Sequence, residues 1–165
     1  MKSSEYFELI EKRLGGYFDF VRDFPFDGVT FDLKAISNVR NEKYFAFKEA
    51  TLYAYENNEI LLFKYTESMN EDIFDKLSTI MKDNIAEFVD LSEDHMSSVI
   101  NCVILINEDV EEQLVEKIKK FKYHKSFSFG FKGWADMMFT LVNLKDGRVY
   151  NNKKLKRQTK LLLPL

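Results

Sequence analysis

Apolar positions recur along the chain with two periods, and each change of period marks an element. Tyr6, Leu9, Ile10, Leu14, Tyr17 and Val21 fall at helical spacing, so the chain opens with a helix that buries one face. Ser3 or Ser4 stands where a cap belongs, and Glu5 and Glu8 lie in the first turn, where the backbone dipole favours anions. Gly15-Gly16 sets a kink or a stop. Residues 23–28 read as a turn. Val29, Phe31, Leu33 and Ala35 then alternate with Thr30, Asp32 and Lys34, the period of a half-exposed strand. Residues 44–55, rich in aromatics, form a second extended stretch and residues 60–65 a third. Short polar connections make these three an antiparallel meander.

Ser68-Met69-Asn70-Glu71 has the spacing of a capping box with Ser68 as the cap. Ile73, Leu77, Ile80, Met81, Ile85 and Phe88 continue from it as one amphipathic helix. The nearly unbroken apolar run 99–106 is a central strand covered on both faces. Residues 107–109 open another helix, with Val110, Leu114 and Ile118 inside and Lys117, Lys119 and Lys120 at its end. Phe121, Tyr123, Phe127, Phe129 and Phe131 alternate with Lys122, His124, Ser126, Ser128 and Lys132, with Lys125 the one break, so this reads as a strand whose aromatic side is core. Residues 134–144 form a strand that turns at 145–147 into 148–150, and the basic stretch 152–160 reads as helical.

The expected order is α-β-β-β-α-β-α-β-β-(β). That is an α+β fold with one mixed or largely antiparallel sheet and helices mainly on one face. One α+β domain covers residues 1–151, and residues 152–165 form a basic C-terminal segment packed on it. At 165 residues and 45% hydrophobic, the chain can bury one sizeable core. No apolar run approaches the ~18 residues of a membrane span, and the start lacks an apolar signal core, so a soluble, cytoplasmic protein is expected.

Known chemistries are thinly represented. Cys102, the only cysteine, lies in an apolar strand and reads as a small buried hydrophobe. His95 and His124 are the only histidines, and no metal or cofactor motif is present, so neither a metal nor a cofactor is expected. The α-β-β-β-α-β beginning is the core order of restriction-endonuclease-like nucleases, which need an acid on one strand and Glu/Asp-x-Lys on the next. Here Leu62 stands where the carboxylate of Leu62-Phe63-Lys64 should be, so that site is incomplete. Asp32, Glu59, Lys64 and His95 are the candidate catalytic residues that remain.

Charge changes the picture more. Overall the chain carries −3, yet residues 1–116 hold 11 basic and 25 acidic side chains, and residues 117–165 hold 13 and 2. Such a split can mark a polyanion-binding face, or it can be neutralised internally. Lys125-Ser126-Phe127-Ser128-Phe129 has the opening Lys and two-apart aromatics of the RNA-recognition octamer, without its glycines or its order of elements. Arg40, Lys125, Lys132, Trp134, Lys153, Lys154, Lys156 and Arg157 are the candidate binding residues.

Phe31-Asp32-Leu33-Lys34, residues 38–45 and 54–59, Glu93-Asp94-His95-Met96-Ser97-Ser98, residues 127–134 and Asn151-Asn152-Lys153-Lys154 resemble an uncharacterised family of small prokaryotic proteins, a domain of unknown function. The resemblance implies one full-length domain and no particular activity. The reading favoured is a non-catalytic binding or interaction module, with a homodimer as one form. Nucleic-acid or polyanion binding through the basic last third is the first alternative. A nuclease-like enzyme with an incomplete site is the second.

Overall fold

The computed structural model describes residues 1–37, 58–89 and 97–164. Helix α1 (Ser3–Leu14) leads into strands β1 (Phe18–Phe26), β2 (Val29–Ser37) and β3 (Asn58–Tyr65). Helix α2 (Glu71–Asp83), a 3-10 turn (Ile85–Phe88), β4 (Ser97–Ile106) and α3 (Glu112–Lys120) follow. The chain ends with β5 (Tyr123–Ser126), β6 (Trp134–Asn143), β7 (Arg148–Asn151) and α4 (Lys156–Leu162). The strands make one seven-stranded open sheet in the order β1-β2-β3-β4-β6-β5, with β7 beside β5 on the same edge of β6. β3, β4 and β6 are mutually parallel and the other pairings are antiparallel, so the sheet is mixed and the fold is α+β.

The helices expected mainly on one face divide between both. α2 and α3 lie in the β3-to-β4 and β4-to-β6 connections and pack on the face carrying Leu62, Ile100, Cys102, Ile104, Met137 and Phe139. α1 and α4, from the two ends of the chain, pack on the other, against Leu61, Phe63, Val103, Leu105 and Val142. That division covers β4 on both sides, as its unbroken apolar run demands.

Four local expectations are corrected. First, α1 stops at Leu14, and Phe18–Phe26, read as helix and turn, is a strand. Gly15 ends the helix, and a Cβ there would sit 2.7 Å from the Glu11 carbonyl oxygen. Pro25 is tolerated because β1 is an edge strand. The real turn is Asp27-Gly28, with φ of 44° and 79°, the left-handed pair a two-residue hairpin needs. The expected strand at 44–55 lies outside the described residues.

Second, Asn70 caps α2 in place of Ser68, its side chain accepting from the Ile73 amide at 2.9 Å. Third, Ile85 and Phe88 belong to the separate 3-10 turn after α2, not to the helix.

Fourth, the aromatic alternation after Phe121 outruns its strand. β5 ends at Ser126, opposite Trp134, and residues 127–133 loop between the two strands. Ser128 and Phe129 take φ of 49° and 56°, and the Phe127 carbonyl accepts from the Gly130 and Lys132 amides. Phe127 is buried, but Phe129 is 102% exposed and Phe131 75%. The alternation predicts both of those rings in the core. Alternation puts side chains on one face only while the backbone stays in register, and here the register ends at Ser126 opposite Trp134, with one last bond from the Phe127 amide to the Gly133 carbonyl at 3.0 Å.

Candidate functional site

Two polar clusters lie on the sheet face that carries α1 and α4. The first is a buried chain of hydrogen bonds across the three parallel strands. Thr140 of β6 donates to Asn101 Oδ1 of β4 at 2.9 Å, and Asn101 Nδ2 donates to Gln158 Oε1 of α4 at 2.6 Å. Gln158 Nε2 then donates to the Glu59 carboxylate of β3. The Glu59 amide donates to Ser37 Oγ of β2 at 2.9 Å. Burial pushes the Glu59 carboxyl up to about 7, while the Gln158 amide acts in the opposite direction. Each amide accepts on one side and donates on the other, so the chain fixes α4 on the sheet with its polar groups paired.

The second cluster lies further along that face, on β5, β6 and the turn before α4. Side chains alternate on β6, so Trp134, Asp136, Met138 and Thr140 share this face while Ala135, Met137 and Phe139 enter the opposite core. Register sets His124 opposite Asp136 and Ser126 opposite Trp134. His124 Nδ1 lies 2.6 Å from Asp136 Oδ1, and its Nε2 3.2 Å from Ser126 Oγ. Lys122 Nζ is 3.6 Å from the other Asp136 oxygen. The Trp134 ring centre is 5.7 Å from that of His124.

Lys154 completes the group. Asn152 Oδ1 accepts from the Lys154 amide at 3.0 Å, and Asn152 Nδ2 donates to the Phe121 carbonyl at 3.4 Å, which ties the turn to the residue before Lys122. The Lys122 ammonium beside it holds the Lys154 ammonium below its ordinary value. Leu155, next in the chain, is buried with Val99 and Met138, and Trp134 packs against them.

The sequence-derived candidates separate. Asp32 accepts from the Tyr65 amide at 2.7 Å, at the far end of β3 from Glu59. Six residue steps of strand, roughly 20 Å, separate Tyr65 from Glu59. Lys64 is on the opposite face from Glu59 and lines an apolar groove with Val29, Ile73, Leu77 and Ile80. Asp32, Glu59 and Lys64 therefore share no cleft. His95 and Arg40 lie outside the described residues. Trp134 and Lys154 meet in the second cluster. Lys125 Nζ lies 5.8 Å from the Phe127 ring, while Lys132, Lys153, Lys156 and Arg157 are exposed.

Sequence reasoning missed Asp136 and Gln158, and placed His124 only on the polar side of an alternating stretch with no role assigned to it. A signal was there. Asn101, Asp136 and Thr140 interrupt otherwise apolar strands, and buried polar residues need partners on a neighbouring element.

Fold and clusters together define a mixed-sheet α+β protein with a basic, aromatic edge at β5 and β6. The chain belongs to a family described as a domain of unknown function (DUF8052), whose model matches residues 2–163, in keeping with the resemblance seen in the sequence. No curated protein and no solved structure matches it significantly.

Proposed function

We propose that the protein is a non-catalytic binding module that holds single-stranded nucleic acid along its β5–β6 edge. The observation that carries this is the exposure of Phe129 and Phe131 between two strands, within the basic third of the chain. Bases stack on exposed aromatic rings, and lysines beside them track the phosphates. The 127–133 loop runs into Trp134, Trp134 packs against the cluster containing Leu155, and Leu155 is flanked by Lys153, Lys154, Lys156 and Arg157. The separation of Asp32, Glu59 and Lys64 weighs against the nuclease-like alternative.

Fluorescence anisotropy with a labelled single-stranded oligonucleotide tests this. Stacking is worth about 1–3 kcal/mol per base, so Phe129→Ala with Phe131→Ala should weaken binding at least ~10-fold. With contacts from Lys132, Lys153, Lys154, Lys156 and Arg157, log affinity should fall against log salt with a slope of roughly −3.5. Unchanged affinity in the double variant refutes the reading. So does a concentration-dependent dimer that the same double variant abolishes, because it assigns the rings to a second copy of the chain.

A further inference from the structure

An apolar groove opens on the other sheet face, between α2 and strands β2, β3 and β4. Side chains alternate along β3, so Ile60, Leu62 and Lys64 share the side that carries α2. Ile60 and Leu62 are buried in the core there, yet the third position of the row is a lysine. In the parallel register Lys64 stands beside Ile104 of β4, which belongs to the same core. From α2, Ile73, Lys76, Leu77 and Ile80 fall at i, i+3, i+4 and i+7, a stripe along one flank of the helix. These side chains bound a groove of about 240 Å³. Its outer end is open, since Ile73 is 37% exposed.

No acidic side chain lines the groove, and its two charged groups are Lys64 from the sheet and Lys76 from the helix. Among the described residues neither lysine has an ion pair or a hydrogen bond to its ammonium group. Glu71 and Asp75 of α2 pair with Lys117 instead, and the Thr66 hydroxyl donates to the Ser68 carbonyl at 2.8 Å. Lys64 is half-buried, and an ammonium drawn partly out of water is stabilised by an anion that follows it in. The walls call for hydrocarbon and the two lysines for negative charge. A small inorganic anion meets only the second demand, and a neutral hydrocarbon only the first.

We propose that this groove binds a medium-chain carboxylate, its tail against Ile73, Leu77, Ile80 and Ile104 and its head drawn to Lys64 and Lys76. The site lies on the opposite face from the polar clusters and does not depend on the strand-binding reading.

Isothermal titration calorimetry of the full chain with octanoate at constant ionic strength tests this, with acetate and 1-octanol as controls. Octanoate should bind saturably and acetate should not. Affinity should rise about fourfold per methylene from butanoate to octanoate. A hydrogen bond to a charged group is lost in 1-octanol and in Lys64→Met, so each should weaken binding at least ~10-fold, whereas Lys64→Arg should retain it. Ile73→Glu places a carboxylate at the open end and should abolish binding, and circular dichroism would verify that each variant folds. No saturable response to octanoate, equal binding of octanol, or an unaltered Lys64→Met overturns the proposal. So does a concentration-dependent dimer that Ile73→Glu abolishes, because it assigns the groove to a second copy of the chain.

Discussion

Replacing Glu59 by Gln should make the protein more stable at neutral and alkaline pH, and the size of the gain follows from the burial of this side chain. Its carboxyl is raised from 4.5 to about 7, burial being the larger cause and the Gln158 hydrogen bond opposing it. A folded-state value above the unfolded one means that the folded protein holds the proton more tightly. Stability from this group is complete below about pH 4.5, falls as pH rises to about 7, and is flat above. A shift of about 2.5 units at ~1.4 kcal/mol each gives a loss of roughly 3 kcal/mol across that window. The side-chain amide introduced by Glu59→Gln would still offer a carbonyl to Gln158 Nε2 but has nothing to ionise. Urea unfolding followed by Trp134 fluorescence between pH 5 and 8.5 would read the difference between the two proteins. Near-equal stability at pH 5 and an advantage for Glu59→Gln of about 2–3 kcal/mol at pH 8 are expected. A difference independent of pH, or a less stable variant at pH 8, refutes the reasoning.

Other substitutions probe the framework that holds the edge. Phe139→Ala removes the ring shared by edge-to-face contacts with Phe74 and Phe121, both at 4.9 Å, and should cost about 3–5 kcal/mol in urea unfolding. Tyr6→Phe leaves the buried Leu162 carbonyl without the hydroxyl that donates to it at 2.8 Å, a loss of about 1–3 kcal/mol by the same assay. Phe129→Ser with Phe131→Ser should change stability by less than about 0.5 kcal/mol, since neither ring is buried, while still removing strand binding in anisotropy.

Period-two and period-3.6 patterns located β3, β4, β6 and α2, because those elements bury one or both faces against a core, and found α3 with its start set at 107–109, whereas it begins at Glu112 and leaves Val110 outside. They failed where the backbone changes state under an unchanged pattern. The helical spacing through Tyr17 and Val21 continues past Gly15, yet the chain beyond it pairs with β2. The alternation through Phe129 and Phe131 continues past Ser126, yet two left-handed residues have already turned the chain. The candidate site was legible only in part, for a related reason. Trp134 and Lys154 were visible as an aromatic and a charge. Their meeting with Lys122, His124 and Asp136 depends on the β5–β6 register and on the Asn152 contacts, which no local pattern encodes. Leu155, Gln158 and Leu162 are buried, so deleting residues 152–165 would damage the fold, whereas substituting the exposed lysines removes charge alone.

Backbone amide chemical-shift mapping with a saturating single-stranded oligonucleotide tests the central claim most directly. Perturbations should cluster at residues 122–134 and 153–157 and leave α2 unaffected. Shifts centred on α2 or on the β1 edge, or none at saturation, would contradict it.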